Sequence, residues 1–156
     1  PPLGDHMLML PPGPPFAVLA HASAPWPNEA GKKAGYQMRG YRLDDKMRPV
    51  FLYSFNGVQV EDYPLAEPGE LDPKFVRTLT LRAEQPVTNV WFRAAVGEKI
   101  EAQPDGMFIV NGKLNLKFTL AAGRKPVVRQ SNGQSELLVP VVFNGREAEI
   151  VEELIW

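Results

Sequence analysis

Four Asn-Gly dipeptides punctuate this chain: Asn56-Gly57, Asn111-Gly112, Asn132-Gly133 and Asn144-Gly145. Each stands between segments rich in apolar residues. Asn and Gly both tolerate positive φ, which the tightest hairpin turns require. Alternation of apolar and polar residues with period two marks a half-buried strand. "VFLYSF" (50–55) and "VQVEDY" (58–63) flank the first turn, and "MFIV" and "KLNLKFTL" the second. "KPVVRQ" and "QSELLVPVVF" flank the third; "LLVPVVF" and "REAEIVEELIW" flank the fourth. The last segment holds good helix formers. Even so, Ala148, Ile150, Glu152 and Leu154 alternate as in a strand, and the Asn-Gly before them asks for a hairpin.

The remaining segments agree. "FAVLA" (16–20) reads as a short buried strand, and "YQMRGYRL" (36–43) as another, with its turn at "DDKMRP". In "KFVRTLTLRA" (74–83), Phe75, Arg77, Leu79 and Leu81 share one face. "TNVWFRAAV" and "KIEAQ" follow. Sixteen prolines sit mostly at strand ends and in loops, and no stretch carries a helical stripe. The expected fold is all-β: an antiparallel β-sandwich of roughly ten to twelve short strands joined by Asn-Gly hairpins. A Pro-rich N-terminal segment (1–34) would pack on the sandwich domain (35–156), and 156 residues suffice for one buried core.

Several chemistries are excluded. Seventeen cations against eighteen anions leave no excess charge to neutralise phosphates, so nucleic acid is not an expected partner. No apolar run is long enough for a transmembrane helix. The chain has no cysteine, which rules out disulfides, thiolate metal sites and the usual covalent haem attachment within it. No cofactor is therefore expected here, although a partner can carry haem. The opening "PPLGD" lacks an initiator Met and reads as a cut end, so a leader or upstream part is expected.

The candidate sites are few. His6, Met7 and Met9 offer soft ligands to copper, but further ligands cannot be placed, and a strand edge packing on the sheet is the stronger reading. His21 has no partner by spacing, and Ser23, Ser54, Ser131 and Ser135 have no adjacent base. The carboxylate pairs Asp44/Asp45, Glu61/Asp62 and Glu152/Glu153 are sequence neighbours. Strand neighbours point to opposite faces, so the last two pairs cannot share a cleft, and solvated faces or turns account for all three. Aromatics remain: Trp26, Tyr36, Tyr41 and Trp91 are candidates for a ligand or partner surface. Period two sends Tyr36, Met38 and Arg42 to one face of their strand, and Arg39 and Tyr41 together to the other, where these two are the best candidates for a ligand or partner surface.

The segments "PLGDHMLMLPPGPPFAVL", "APWP", "GYQMRGYRLDDKMRPVFLYSF", "VQVED", "FVRTLTL", "VWFRAAVGEKIE" and "ELLVPVVFNGREAEIVEELIW" carry a resemblance. From Pro2 to Trp156 the chain resembles a module of large multidomain c-type cytochrome proteins. These are exported proteins of planctomycetes and related bacteria, in which the module accompanies cytochrome c domains and often a dehydrogenase-like propeller. The resemblance implies a periplasmic or extracellular setting near electron transfer or sugar oxidation. It also implies a partner, or an upstream part of the same polypeptide, that is a c-type cytochrome or dehydrogenase. Its motifs are structural and transfer no catalytic residue. The expected function is therefore a non-catalytic docking or assembly module. A carbohydrate-binding module or sugar-active domain is the alternative.

Overall fold

The structure is a computed structural model, and it describes residues 15–27, 35–67, 74–120 and 123–156. Within these there are twelve strands and no helix, so no helix is long and apolar enough to cross a membrane. The strands are β1 (Phe16–Val18), β2 (Tyr36–Leu43), β3 (Pro49–Phe55), β4 (Val58–Glu67), β5 (Lys74–Ala83) and β6 (Val90–Gly97). They continue as β7 (Ile100–Ala102), β8 (Phe108–Val110), β9 (Leu114–Thr119), β10 (Val127–Ser131), β11 (Gln134–Pro140) and β12 (Glu147–Ile155).

All pairings are antiparallel, and they form two sheets. The large sheet has eight strands in the order β2-β3-β4-β5-β12-β9-β8-β7, and the small sheet has four in the order β1-β6-β11-β10. The large sheet is thus two meanders, β2–β5 and β7–β9, with the last strand of the chain inserted between them. β1 falls within "FAVLA", the segment read as a short buried strand, and Phe16 pairs with Phe92 and completes the small sheet's edge.

Three of the four Asn-Gly turns close hairpins, with both residues at positive φ: 43° and 78°, 53° and 67°, and 51° and 77°. The fourth does not. β11 lies in the small sheet and β12 in the large one, so Asn144-Gly145 turns the chain between layers. Only Gly145 of that pair has positive φ. The closing strand is present as expected, but it does not pair with β11; at the turn only an isolated bridge forms, between Asn144 and Glu147.

The core is sealed by the alternation. Phe55, Val58, Val60, Leu79, Leu81, Ala148 and Ile150 of the large sheet meet Phe16, Val90, Phe92 and Val139 of the small one. A second cluster joins Ala95 and Leu137 to Ile100, Phe108, Val110, Leu116 and Leu154. Leu81 is wholly buried, and burying such a side chain contributes ~1.5–3 kcal/mol. Leu81→Ala should therefore cost about 2–5 kcal/mol in chemical denaturation. Val18→Ala, at a half-exposed position, should change stability by less than ~0.5 kcal/mol. Equal losses at both positions would contradict this placement of the core.

Candidate functional site

Two features stand out against the apolar interior: an ionic cluster inside the sandwich, and an open apolar face beside it.

The cluster follows from register. Asp62 continues the inward series of Val58 and Val60 on β4, Arg77 stands in phase with Leu79 and Leu81 on β5, and Glu152 lies between Ile150 and Leu154 on β12. Arg77 pairs directly with Glu152 across the ladder, and Asp62 sits opposite Leu79. The Arg77 guanidinium donates to Asp62 at 2.6, 2.9 and 3.1 Å, while its Nη1 lies 3.6 Å from Glu152. Its plane lies over the Phe92 ring, 5.4 Å from the centroid, which ties the cluster to the small sheet. Burial works against the Arg77 charge, but Asp62's hydrogen bonds and charge more than offset it and raise the pKa. Desolvation drives the Tyr53 hydroxyl upward, and Tyr36 too is raised, first by burial and then by Asp62.

Glu152 is the member left over. Asp62 takes the short contacts, and Glu152 is buried with its Oε2 lacking any hydrogen-bond partner among the described residues, as does the Tyr53 hydroxyl. Desolvation pushes its carboxyl up to about 7, against the attraction of Arg77 and with the help of Asp62's repulsion. Both Asp62 and Glu152 were expected on solvated faces; the sheet instead brings one member of each pair inward to flank a single guanidinium. The third pair behaves as expected. Asp44 caps the β2–β3 turn, accepting from the backbone N–H groups of Arg48 and Lys46 and from the Tyr63 hydroxyl. Those bonds, the Arg48 backbone first, lower its pKa.

The open face lies on β2. Between Met38 and Gly40 the register with β3 shifts, which makes Arg39 an extra residue in a β-bulge. Gly40 takes φ 115°, open to glycine and strained for other residues. The bulge reverses the expected faces. Tyr36, Met38 and Tyr41 stand opposite Phe55, Tyr53 and Phe51, all on the inner face. Arg39 instead donates to Ser54 on the outer face. Arg39 and Tyr41 therefore do not share a face. Arg42, also expected beside Tyr36, joins the outer face and forms a surface pair with Glu61. Beyond the reach of the small sheet, Met38, Tyr41 and Leu43 are 54, 65 and 45% exposed, and Met47 in the adjoining turn is 71% exposed.

The other aromatic candidates lie apart. Tyr36 is half-buried against Tyr53. Trp26 is buried over Arg93 on the far side of the small sheet, with Trp91 packed against it. There Arg93 and Arg129 both bind the buried Glu136, at 2.8 and 3.0 Å. Arg129 also donates to the carbonyls of Ala22 and Ala24, pinning the loop that carries Trp26. His21, expected without a partner, shares a hydrogen bond with Ser23 at 2.7 Å. His6, Met7 and Met9 lie outside the described residues, and among those described no cluster of His, Asp or Glu could hold a metal.

No family model matches the chain, and neither curated proteins nor solved structures give a similar one.

Glu152 sets a pH dependence. Its folded value lies above its ordinary 4.5, so the native state holds a proton that the unfolded chain has lost between pH 4.5 and about 7. Its stabilisation is complete below that window and is lost as pH rises through it, at no more than ~1.4 kcal/mol per pH unit. Urea midpoints should fall across this range in the parent chain and stay level in Glu152→Gln. A slope that survives the substitution would assign the effect elsewhere. Arg77→Met should cost about 3–5 kcal/mol, because it strands two buried carboxyls. Adding Glu152→Gln to Arg77→Met should recover part of that loss.

Proposed function

We propose that this chain is a non-catalytic docking module whose partner surface is the open inner face of β2 and its turn. One observation carries the reading: Met38, Tyr41 and Leu43 stay exposed together on the inner side of an edge strand, with exposed Met47 in the turn that follows. Exposed apolar groups clustered in this way mark interaction sites more often than chance placement does. Three neighbouring arginines are already engaged: Arg42 with Glu61, Arg48 with Asp44, and Arg77 with Asp62. The face therefore offers packing area rather than acid–base groups. An aromatic ring beside two flexible methionines suits a protein surface.

The resemblance to modules of multidomain c-type cytochrome proteins supplies the partner: a haem-bearing or dehydrogenase domain, in a periplasmic or extracellular complex. The carbohydrate reading has less support. Of the four aromatic candidates only Tyr41 stands open, and the others are buried or half-buried at separate places. A sugar platform needs several rings presented together.

A photo-crosslinking residue at position 41, introduced in a cell that makes the protein naturally, tests both parts. The expected product is a covalent adduct that carries haem absorbance. An adduct without haem would keep docking and discard the cytochrome. Equal labelling from position 117 on the outer face would discard the surface. With the partner in hand, Tyr41→Ala should weaken binding by ~1–2 kcal/mol and leave the melting temperature unchanged.

A further inference from the structure

The four Asn-Gly steps share one sequence but not one geometry. An asparagine before glycine can lose ammonia unaided, because glycine has no Cβ to shield its nitrogen from the asparagine side chain. The reaction needs the side-chain carbonyl carbon, Cγ, to lie on the same side of the Cα–C bond as that nitrogen. In a left-handed residue, Cβ stands beside the residue's own carbonyl oxygen, so the next nitrogen points away from the side chain. Asn56, Asn111 and Asn132 all hold that conformation, at φ 43°, 53° and 51°. Each is also held between the paired strands of its hairpin. Two of the three have engaged side chains as well. Asn111 Oδ1 accepts from the Lys99 backbone N–H at 3.1 Å. Asn56 Oδ1 packs so closely on Gly35 that a Cβ there would collide with it.

Asn144 differs on each count. Its φ lies outside the left-handed region, and only Gly145 is there, at 66°. Its side chain is exposed and makes no hydrogen bond among the described residues. The Gly145 N–H has no backbone acceptor among them. The turn is closed only by the isolated bridge between Asn144 and Glu147, with bonds of 2.8 and 3.3 Å. No ladder holds it from the β11 side, because β11 lies in the other sheet.

We infer that Asn144-Gly145 is a site of spontaneous modification, where the folded chain converts asparagine to isoaspartate and aspartate while sparing the three hairpin turns. The Gly145 nitrogen bonds to Asn144 Cγ, the Cγ–Nδ2 bond breaks, and ammonia leaves with the Gly145 amide proton. Water then opens the resulting succinimide ring. Opening at the α-carbonyl gives isoaspartate, and opening at Cγ gives aspartate. Either product places a carboxylate in the crossing between layers. The isoaspartyl form also adds one carbon to the main chain and displaces the carbonyl that accepts from the Glu147 N–H. The same turn is tied to β5, where the Ala83 N–H donates to the Arg146 carbonyl at 2.8 Å. Modification therefore loosens the start of β12, the strand that joins the two meanders. The inference is independent of the docking face on β2.

Ageing the full chain in mildly alkaline buffer, folded and in urea, tests it. Peptide mapping by mass spectrometry reads each of the four sites, and electron-transfer fragmentation separates isoaspartate from aspartate. In the folded chain, Asn144 should react at least about tenfold faster than Asn56, Asn111 or Asn132. In urea the four rates should converge to within about threefold, because only the shared dipeptide then remains. Asn144→Ser should remove the fast release of ammonia and leave the other three rates unchanged. Should that variant fail to fold, the comparison of the folded and urea-treated parent chain decides. Three results overturn the inference: a hairpin asparagine reacting as fast as Asn144 in the folded chain, the same ranking persisting in urea, or a fast ammonia release surviving Asn144→Ser.

Discussion

The contact between Arg77 and its two carboxyls organises the large sheet. Arg77 stands on β5, Asp62 on β4 and Glu152 on β12, so one guanidinium spans three adjacent strands. β12 is the strand that joins the two meanders, and it leaves the chain last. Its placement beside β5 therefore depends on a pairing of high sequence separation. Hydrophobic alternation alone would accept a slip of two residues, because the same face would still point inward. A slip would move Glu152 away from Arg77 and leave a buried carboxyl without its cation. The cluster thus acts against the wrong register as much as for the right one. Buried ionic groups are best attested in this role, since their net contribution to stability is small.

The cluster also marks a boundary. Along the row that contains Asp62, the inner face runs from Tyr41 through Phe51 to Leu79 and Ile150. Burial deepens along it, from exposed at Tyr41 to fully covered at Leu79. The small sheet, with four strands to the other's eight, cannot cover the whole face. Phe92 is its point of contact with Arg77. Past that point the large sheet continues as a flange, on which Met38, Tyr41 and Leu43 stay exposed.

Much of this was legible in the sequence, and the illegible parts share one cause. Strand positions follow from local alternation, so nearly all were readable. Sheet membership depends on distant pairing, so Asn144-Gly145 was read as a hairpin although it crosses between layers. The ionic cluster had a visible signal: Asp62, Arg77 and Glu152 each occupy an apolar phase of their strand. Taken strand by strand, the pairs that hold Asp62 and Glu152 looked like solvated faces. Only the cross-strand register shows that the three converge. The bulge at Arg39 was signalled by Gly40 in mid-strand, a position where glycine costs strand stability and needs a reason. Reading through it with strict period two put Tyr41 on the wrong face.

The same bulge bears on how the flange is used. β2 is a long edge strand, and an unpaired edge invites strand addition. The extra residue at Arg39 breaks the even run of backbone donors and acceptors that an added strand needs. Arg39 and Arg42 line the outer face, which further discourages a second copy of β2 from pairing there, since like charges would meet. What remains available is the inner face, where Met38, Tyr41 and Leu43 stand without a cover. The bulge itself supplies that face, because without the register shift Tyr41 would point outward beside Arg39. One inserted residue therefore does two things: it closes the edge to pairing and turns an aromatic ring toward the open side. Contact through side-chain packing, rather than by backbone extension of the sheet, is the mode this geometry favours.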